Sequence, residues 1–423
     1  MEETLVETPP QTSHRRTIIM TLLTLVLLIL ATVGAILYGM GYRLDFNESG
    51  PKIAHTGILN ASSSPTGAQV YVDSHLTTAT NNAVNLVPGK YTITMTKEGY
   101  QPWKKDIIIQ DQVVTNANAL LLPQAPTLQS ISTVGIANPV LDPTQTKLAF
   151  TVSSESAQTK NGIYVLDMST RNFPVLPIQT SSLQIADDTV ASFSQAKLSW
   201  SPDGQQILAT IAGTDGQSPT YYLLQANQMN TTPNDVTATL PTLQDTWKSQ
   251  LSDKDKLRQQ SLKPAVRSLL QQYAQVIGWS DDDDKVLYVA SQDATLPILI
   301  KPRRIGNNPL YEVRNIVKGG VYVYNMTEDV NTKILDQSPV SCDITNPDCQ
   351  VPLQWFPDSQ HLIYVQDHKI NIVEMDGSNM TTIYAGPFDD KYVFVWPDGS
   401  KLVILTNLDN TNIPPTFYTI SLQ

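Results

Sequence analysis

The chain has 423 residues, with 28 Lys+Arg against 39 Asp+Glu and a formal net charge of -11. An acidic surface argues against a nucleic-acid partner, because neutralising phosphates needs a basic face. Charged residues at 16% argue against a largely disordered chain, and the length allows roughly two to four domains.

From Thr17 to Tyr42 there is no charged side chain. A run of about 20 apolar residues at ~1.5 Å rise spans a hydrocarbon core, so residues 17–42 are expected to cross the lipid bilayer. His14, Arg15 and Arg16 flank the run on its N side. The positive-inside tendency then keeps residues 1–16 cytoplasmic and exports the rest. The small residues Ala31, Gly34 and Ala35 resemble a signal-cleavage site. The apolar run is longer than the ~7–15 residues of a secretory signal, which favours a retained single-pass anchor.

Residues 43–60 read as a linker. Between 61 and 122, Gln69-Val70-Tyr71-Val72-Asp73 alternates like a half-buried strand. Pro88-Gly89 makes a turn before Tyr91-Thr92-Ile93-Thr94-Met95, and Lys97-Glu98-Gly99-Tyr100 turns again before a strand from Trp103 to Ile109. A small antiparallel β-sandwich is expected. Pro65-Thr66-Gly67-Ala68, the Val-Tyr-Val-Asp strand, the Pro-Gly-x-Tyr turn and the Gly-Tyr turn followed by Trp103 resemble the PEGA domain, with Thr66 in place of the family's Glu. The resemblance implies an envelope or surface location and no catalysis.

After Pro123-Gln124-Ala125-Pro126 a unit recurs over 127–423: a strand, a Pro-Asp or Asp-rich turn, and another alternating strand. The turns are Leu141-Asp142-Pro143, Trp200-Ser201-Pro202-Asp203, Trp279-Ser280-Asp281-Asp282, Trp355-Phe356-Pro357-Asp358 and Trp396-Pro397-Asp398-Gly399. Trp200, Trp279, Trp355 and Trp396 are expected at one repeat position, packing between units. Strands such as Gly162–Asp167 and Lys369–Glu374 are expected on the outside. The unit cannot bury both faces alone, so it stacks with its copies. It resembles a blade of the Tol-system β-propeller and of tryptophan-aspartate-repeat proteins. The expected fold class is mainly β: a transmembrane helix, a PEGA-like β-sandwich and a β-propeller of five or six blades. The whole order resembles PEGA–propeller membrane proteins of small-genome candidate-phylum bacteria, a likeness of organisation that implies no activity.

Two insertions interrupt the repeat. Residues 240–275 take helical spacing, with Leu240, Leu243, Trp247 and Leu251 on one face and Pro264 starting a second helix. A helical hairpin projecting from a blade edge is expected. Residues 292–317 carry Lys301, Arg303 and Arg304, the main basic cluster with Arg314 and Lys318. These are the candidate binding residues for an anionic wall polymer; an ordinary solvated loop is the alternative.

Catalytic motifs of the nucleophile-elbow, zinc-protease and phosphate-loop kinds do not occur. No catalytic residue, cofactor or metal is expected. His361 starts a strand where other units have Lys, a slot expected to be polar and exposed. Asp281-Asp282-Asp283-Asp284 reads as a solvated turn rather than a calcium loop. Cys342 and Cys349, the two cysteines, suit one disulfide in an exported protein. The expected function is a membrane-anchored extracellular module that binds or scaffolds an envelope protein or cell-wall polymer. The alternative is a propeller-type hydrolase or lyase acting on envelope glycans.

Overall fold

The computed structural model describes residues 14–39, 43–47, 50–132, 134–153, 158–169, 182–213, 218–304, 306, 308–340 and 351–422. Cys342 and Cys349, and with them the expected disulfide, lie outside these residues.

Helix α1 runs from His14 to Gly39. Its window Ile18–Ile36 has a mean hydropathy of 2.7 and no residue buried against the protein. An apolar helix with no protein covering is a candidate membrane span. Within the stretch expected as a linker, the described residues include strands. Arg43–Asn47 pairs antiparallel with Gly50–Ala54, and Gly57–Ser64 is already a strand of the next sheet. The alternation in Arg43-Leu44-Asp45-Phe46-Asn47 is the local reason.

The chain divides by its contacts into two units. The first holds Met1–Met95, Asp106–Ala119 and Ile305–Asn308; the second holds Thr96–Lys105, Leu120–Arg304 and Pro309–Gln423. One three-stranded sheet has the order Asn82–Leu86, Gly57–Ser64, Val114–Leu120. A four-stranded sheet has the order His75–Ala79, Gln69–Val72, Gly89–Thr96, Trp103–Ile109. Alternating residues Leu59 and Ala61, Val70 and Val72, and Ile93 and Met95 are buried, as period-two strands require.

The second unit contains five four-stranded antiparallel sheets among the described residues. In strand order, sheet I is Ala137–Leu141, Lys147–Val152, Gly162–Asp167 and Leu183–Asp187. Sheet II is Lys197–Trp200, Gln206–Ile211, Thr220–Gln225 and Asn234–Asp235. Sheet III is Ala274–Trp279, Lys285–Ala290, Val321–Asn325 and Val330–Leu335. Sheet IV is Leu353–Trp355, His361–Gln366, Lys369–Glu374 and Thr381–Ala385. Sheet V is Val393–Val395, Lys401–Thr406, Thr416–Ser421 and Leu128–Ser130. The strands expected outermost are therefore interior. Each sheet adds an edge strand too short or too polar to stand out by its pattern, and the edge of sheet V comes from the start of the region, Leu128 opposite Ile420.

Alternation along each second strand divides its side chains between two neighbours. Leu148 and Phe150 pack with Val403, Leu405 and Phe417 of sheet V, while Ala149 packs with Leu198, Trp200 and Ile207 of sheet II. Leu402 and Ile404 of sheet V pack with Ile363 and Ile372 of sheet IV. Leu362 of sheet IV packs with Leu287 and Val323 of sheet III. A repeat of this kind is stable only through its neighbours.

Backbone bonds align the repeats residue by residue. The N–H of Asp142, Ser201, Ser280, Phe356 and Trp396 donates to the carbonyl of Lys147, Gln206, Lys285, His361 and Lys401 respectively. Trp396 is thus equivalent to Ser201 and Phe356, not to Trp200. The shared position holds Leu141, Trp200, Trp279, Trp355 and Val395, each directly before its turn residue. Trp396 therefore fills the turn position that Ser201 and Phe356 hold, one residue after the shared tryptophan position, and packs towards sheet I. The strand-start slot is also corrected. His361 and Lys285 are buried there, because each folds back onto the turn carboxylate, Asp358 at 2.6 Å and Asp282 at 2.6 Å.

Gly162 opens a strand at φ +136°, where a Cβ would lie 2.0 Å from the Ala186 carbonyl oxygen. Gly162→Ala is expected to cost about 1–3 kcal/mol from the backbone conformation alone, plus loss of the Gly162–Asp187 end of the sheet I pairing. A lowered urea midpoint in the full chain checks it; an unchanged midpoint refutes it.

Candidate functional site

The second insertion places the candidate basic residues. It folds as a short ribbon, Ala294–Thr295 paired with Asn315–Ile316. Arg314 sits at its centre. Its guanidinium donates to Glu312, to the Pro297 carbonyl at 3.1 Å, to Asp329 Oδ1 at 3.1 Å and to the Asp329 carbonyl. Asp329 Oδ2 accepts the backbone N–H of Leu299 at 2.6 Å and of Ile300 at 2.9 Å. Burial pushes the Asp329 carboxyl up, but those amides and Arg314 together hold it below the ordinary value. The Tyr324 hydroxyl donates to Asp329 at 3.0 Å. Arg303 places Nη1 2.5 Å from Glu312 Oε2. Arg303 and Arg314 therefore neutralise buried carboxylates and pin the insertion, while Lys301 and Arg304 are exposed. The structure does not gather the cations of this stretch into one outward patch. Spacing alone could not show this, because Asp329 lies far along the chain.

A second cluster has no counterpart among the expected site residues. Glu374 ends the third strand of sheet IV and is buried. It accepts from the indole N–H of Trp103, the Asn379 amide at 2.8 Å and the Lys105 ammonium. Lys105 also reaches Asp376 at 2.5 Å and lies 5.6 Å over the Tyr311 ring. Trp103 and Lys105 belong to the second unit. Burial pulls the Lys105 ammonium down, yet Glu374 and Asp376 outweigh it and raise the group above its ordinary value. Beside this cluster is a small cavity of about 20 Å³, lined by Gln101, Leu120, Leu122, His361 and Thr381 among others. That is room for about one water. The available signal was the Trp-Lys-Lys alternation at 103–105; the partner 271 residues away was not legible.

The acidic turn Asp281–Asp284 is exposed. Asp282 binds Ser280 and Lys285, and Asp283 binds Arg258 at 2.8 Å. Burial and the neighbouring carboxylates of Asp282 and Asp283 raise the Asp281 carboxyl. Among the described residues no group of three or more His, Cys, Asp or Glu is placed to hold a metal ion.

In the helical insertion, α2 covers Leu240–Ser261 and α3 covers Pro264–Tyr273. No residue of α2 is buried, whereas Val266 and Leu270 of α3 are. The hairpin was expected to project; α3 instead packs on sheet III with Val286, Tyr288 and Tyr324.

Comparison with known proteins adds the following. Residues 56–124 match the PEGA domain. No curated protein matches the chain. Similar solved structures include the putative TolB of Agrobacterium tumefaciens, at 13% identity and TM-score 0.20, covering 67% of this chain and 78% of that one. TolB of Acinetobacter baumannii is 13% identical with TM-score 0.23, covering 84% and 64%. The β-propeller domain of the Trilobed protease from Pyrococcus furiosus is 13% identical with TM-score 0.18, covering 83% and 78%. Superpositions this loose carry no argument about activity.

Proposed function

We propose that the chain is a single-pass membrane protein of the cell envelope whose exported part binds or scaffolds an envelope protein or a cell-wall polymer without catalysis. Residues 1–16 stay cytoplasmic, α1 anchors, the PEGA domain forms a surface β-sandwich, and sheets I–V act as blades of a propeller-like module. The observation that carries the binding reading is how the buried charged side chains are used. Asp142, Lys285, Asp329, His361 and Glu374 each bond to structural partners. None is held as an activated base beside a nucleophile, which acid–base catalysis requires. The exposed Lys301 and Arg304 and the outward side of α2 are the proposed contact residues. A disulfide between Cys342 and Cys349 fits the exported location.

Two reporter fusions at Gln423 test the topology. Alkaline phosphatase is expected to be active there and green fluorescent protein dark; the reverse pattern would overturn export. Pull-down of the full chain from detergent-solubilised envelopes, read by mass spectrometry, is expected to enrich specific proteins or intact wall glycans. Shortened glycans in the bound fraction would overturn the non-catalytic reading.

A further inference from the structure

Sheets I, II, III, IV and V share cores in the pairs V–I, I–II, III–IV and IV–V. Sheet III has a second apolar face, made by Val286, Tyr288, Ala290, Tyr322 and Tyr324. What covers it is Leu262, Val266 and Leu270 of the helical insertion, with Leu296 and Ile316 of the other insertion.

The equivalent tryptophans make the substitution plain. Trp200 donates its indole N–H to the Val140 carbonyl of the preceding sheet at 3.0 Å. Trp355 lies against Gly278 of the preceding sheet. Trp279, at the same repeat position, packs in the cluster with Leu262, Val266 and Leu270. The Arg258 guanidinium stands 6.0 Å over its ring. The turns follow the same rule. Gly204 approaches the Asp142 carboxylate, and the backbone N–H of Asp282 donates to the Ser359 hydroxyl at 3.2 Å. The side of sheet III away from sheet IV has Arg258 bound to Asp283 instead. The edge of the neighbouring sheet in sequence is polar on the corresponding face: Lys197 and Ser199 of sheet II are exposed, although Leu208 beside Ser199 is buried. Arg267 ties the two helices together by donating to the carbonyls of Gln259, Gln260 and Leu262, which satisfies the free C-terminal carbonyls of α2.

We infer that Leu262–Tyr273 is a built-in plug that stands in for a neighbouring sheet on sheet III, with Arg258 as the latch that holds α2 to it. The insertion then has two halves with different work. Its α3 half completes the fold, and only its α2 half is free to meet a partner. Deleting the whole insertion would strip an apolar face, so it is not a clean test of binding.

Hydrogen exchange on the full chain in detergent, read by mass spectrometry, tests this. Leu270→Ala is expected to speed exchange in Lys285–Ala290 and Val321–Asn325 by about 30-fold or more, with Lys147–Val152 little changed. Leu257→Ser, on the exposed side of α2, is expected to leave all three segments unchanged. Val266→Asp, if it folds, gives the larger local effect; if it does not, the Leu270→Ala comparison decides. Equal exchange in sheet III for Leu270→Ala and wild type would overturn the plug, as would the same acceleration from Leu257→Ser. The outcome does not depend on whether any partner is found.

Discussion

Lys105→Met lowers the stability of the second unit by about 3–5 kcal/mol, the range for removing one member of a buried ion pair. The Lys105 side chain is 18% exposed, and its partners Glu374 and Asp376 are 8% and 12% exposed. Methionine matches the length of the stem but leaves two carboxylates together with little water. Trp103 and Asn379 still donate to Glu374, so the loss falls on an uncompensated charge rather than on every bond. Adding Glu374→Gln to Lys105→Met should recover part of the loss, because the more buried of the two orphaned charges is gone and only Asp376 stays unpaired by lysine. The sign with pH follows from a raised lysine. Its contribution is full below the ordinary lysine value of 10.5 and is lost as pH rises through the folded value. The wild type–mutant difference in urea midpoint should therefore be flat from neutral pH to about 10 and close above it. A difference under about 1 kcal/mol at neutral pH would mean that the cluster behaves as a screened surface pair.

Arg314→Met is the second large effect, again about 3–5 kcal/mol. Its guanidinium is 13% exposed and binds Glu312 and Asp329, whose side chains are 9% and 2% exposed. Loss of the cation removes one of the groups that depress Asp329 and leaves Glu312 with Arg303 alone. For a depressed carboxyl, stability is present above the ordinary value of 3.8 and is lost as pH falls through the folded value. Melting temperature in the wild type should thus fall as pH drops below about 3.8, and the loss should be smaller in Arg314→Met, so that the difference between the two proteins narrows in acid. Arg303→Met makes a useful contrast. Its side chain is 33% exposed, and about 1 kcal/mol or less is expected. Equal losses from the two arginines would contradict the assignment of Arg314 as the buried anchor.

The parts legible beforehand are those that depend on near neighbours in the chain. Thr17–Tyr42 lacks charge, and an unpaired charge in hydrocarbon is costly, so α1 is written in composition. Lys401-Leu402-Val403-Ile404-Leu405 alternates, and alternation divides a strand between two faces. The turn residues Pro202, Asp203 and Gly204 announce a reversal. Leu243, Trp247 and Leu251 announce a helix. Each signal spans a few residues and needs no partner to be read.

What only the tertiary structure decided are relations between distant positions. Backbone pairing, not residue type, showed that Val395 rather than Trp396 matches Trp200 and Trp355. Side chains from other segments showed that Arg303 and Arg314 neutralise carboxylates, and that His361 sits in a buried slot. Glu374 reads as the polar end of a strand, and its worth depends on Trp103 and Lys105 from 271 and 269 residues away. The apolar spacing of α3 told of a helix with a buried face, but not that sheet III is what it covers. The physical reason is common to all of these. Local pattern sets conformation and which face is apolar, whereas the cost or gain of burying a charge, a ring or a face is set by whatever the rest of the chain brings against it.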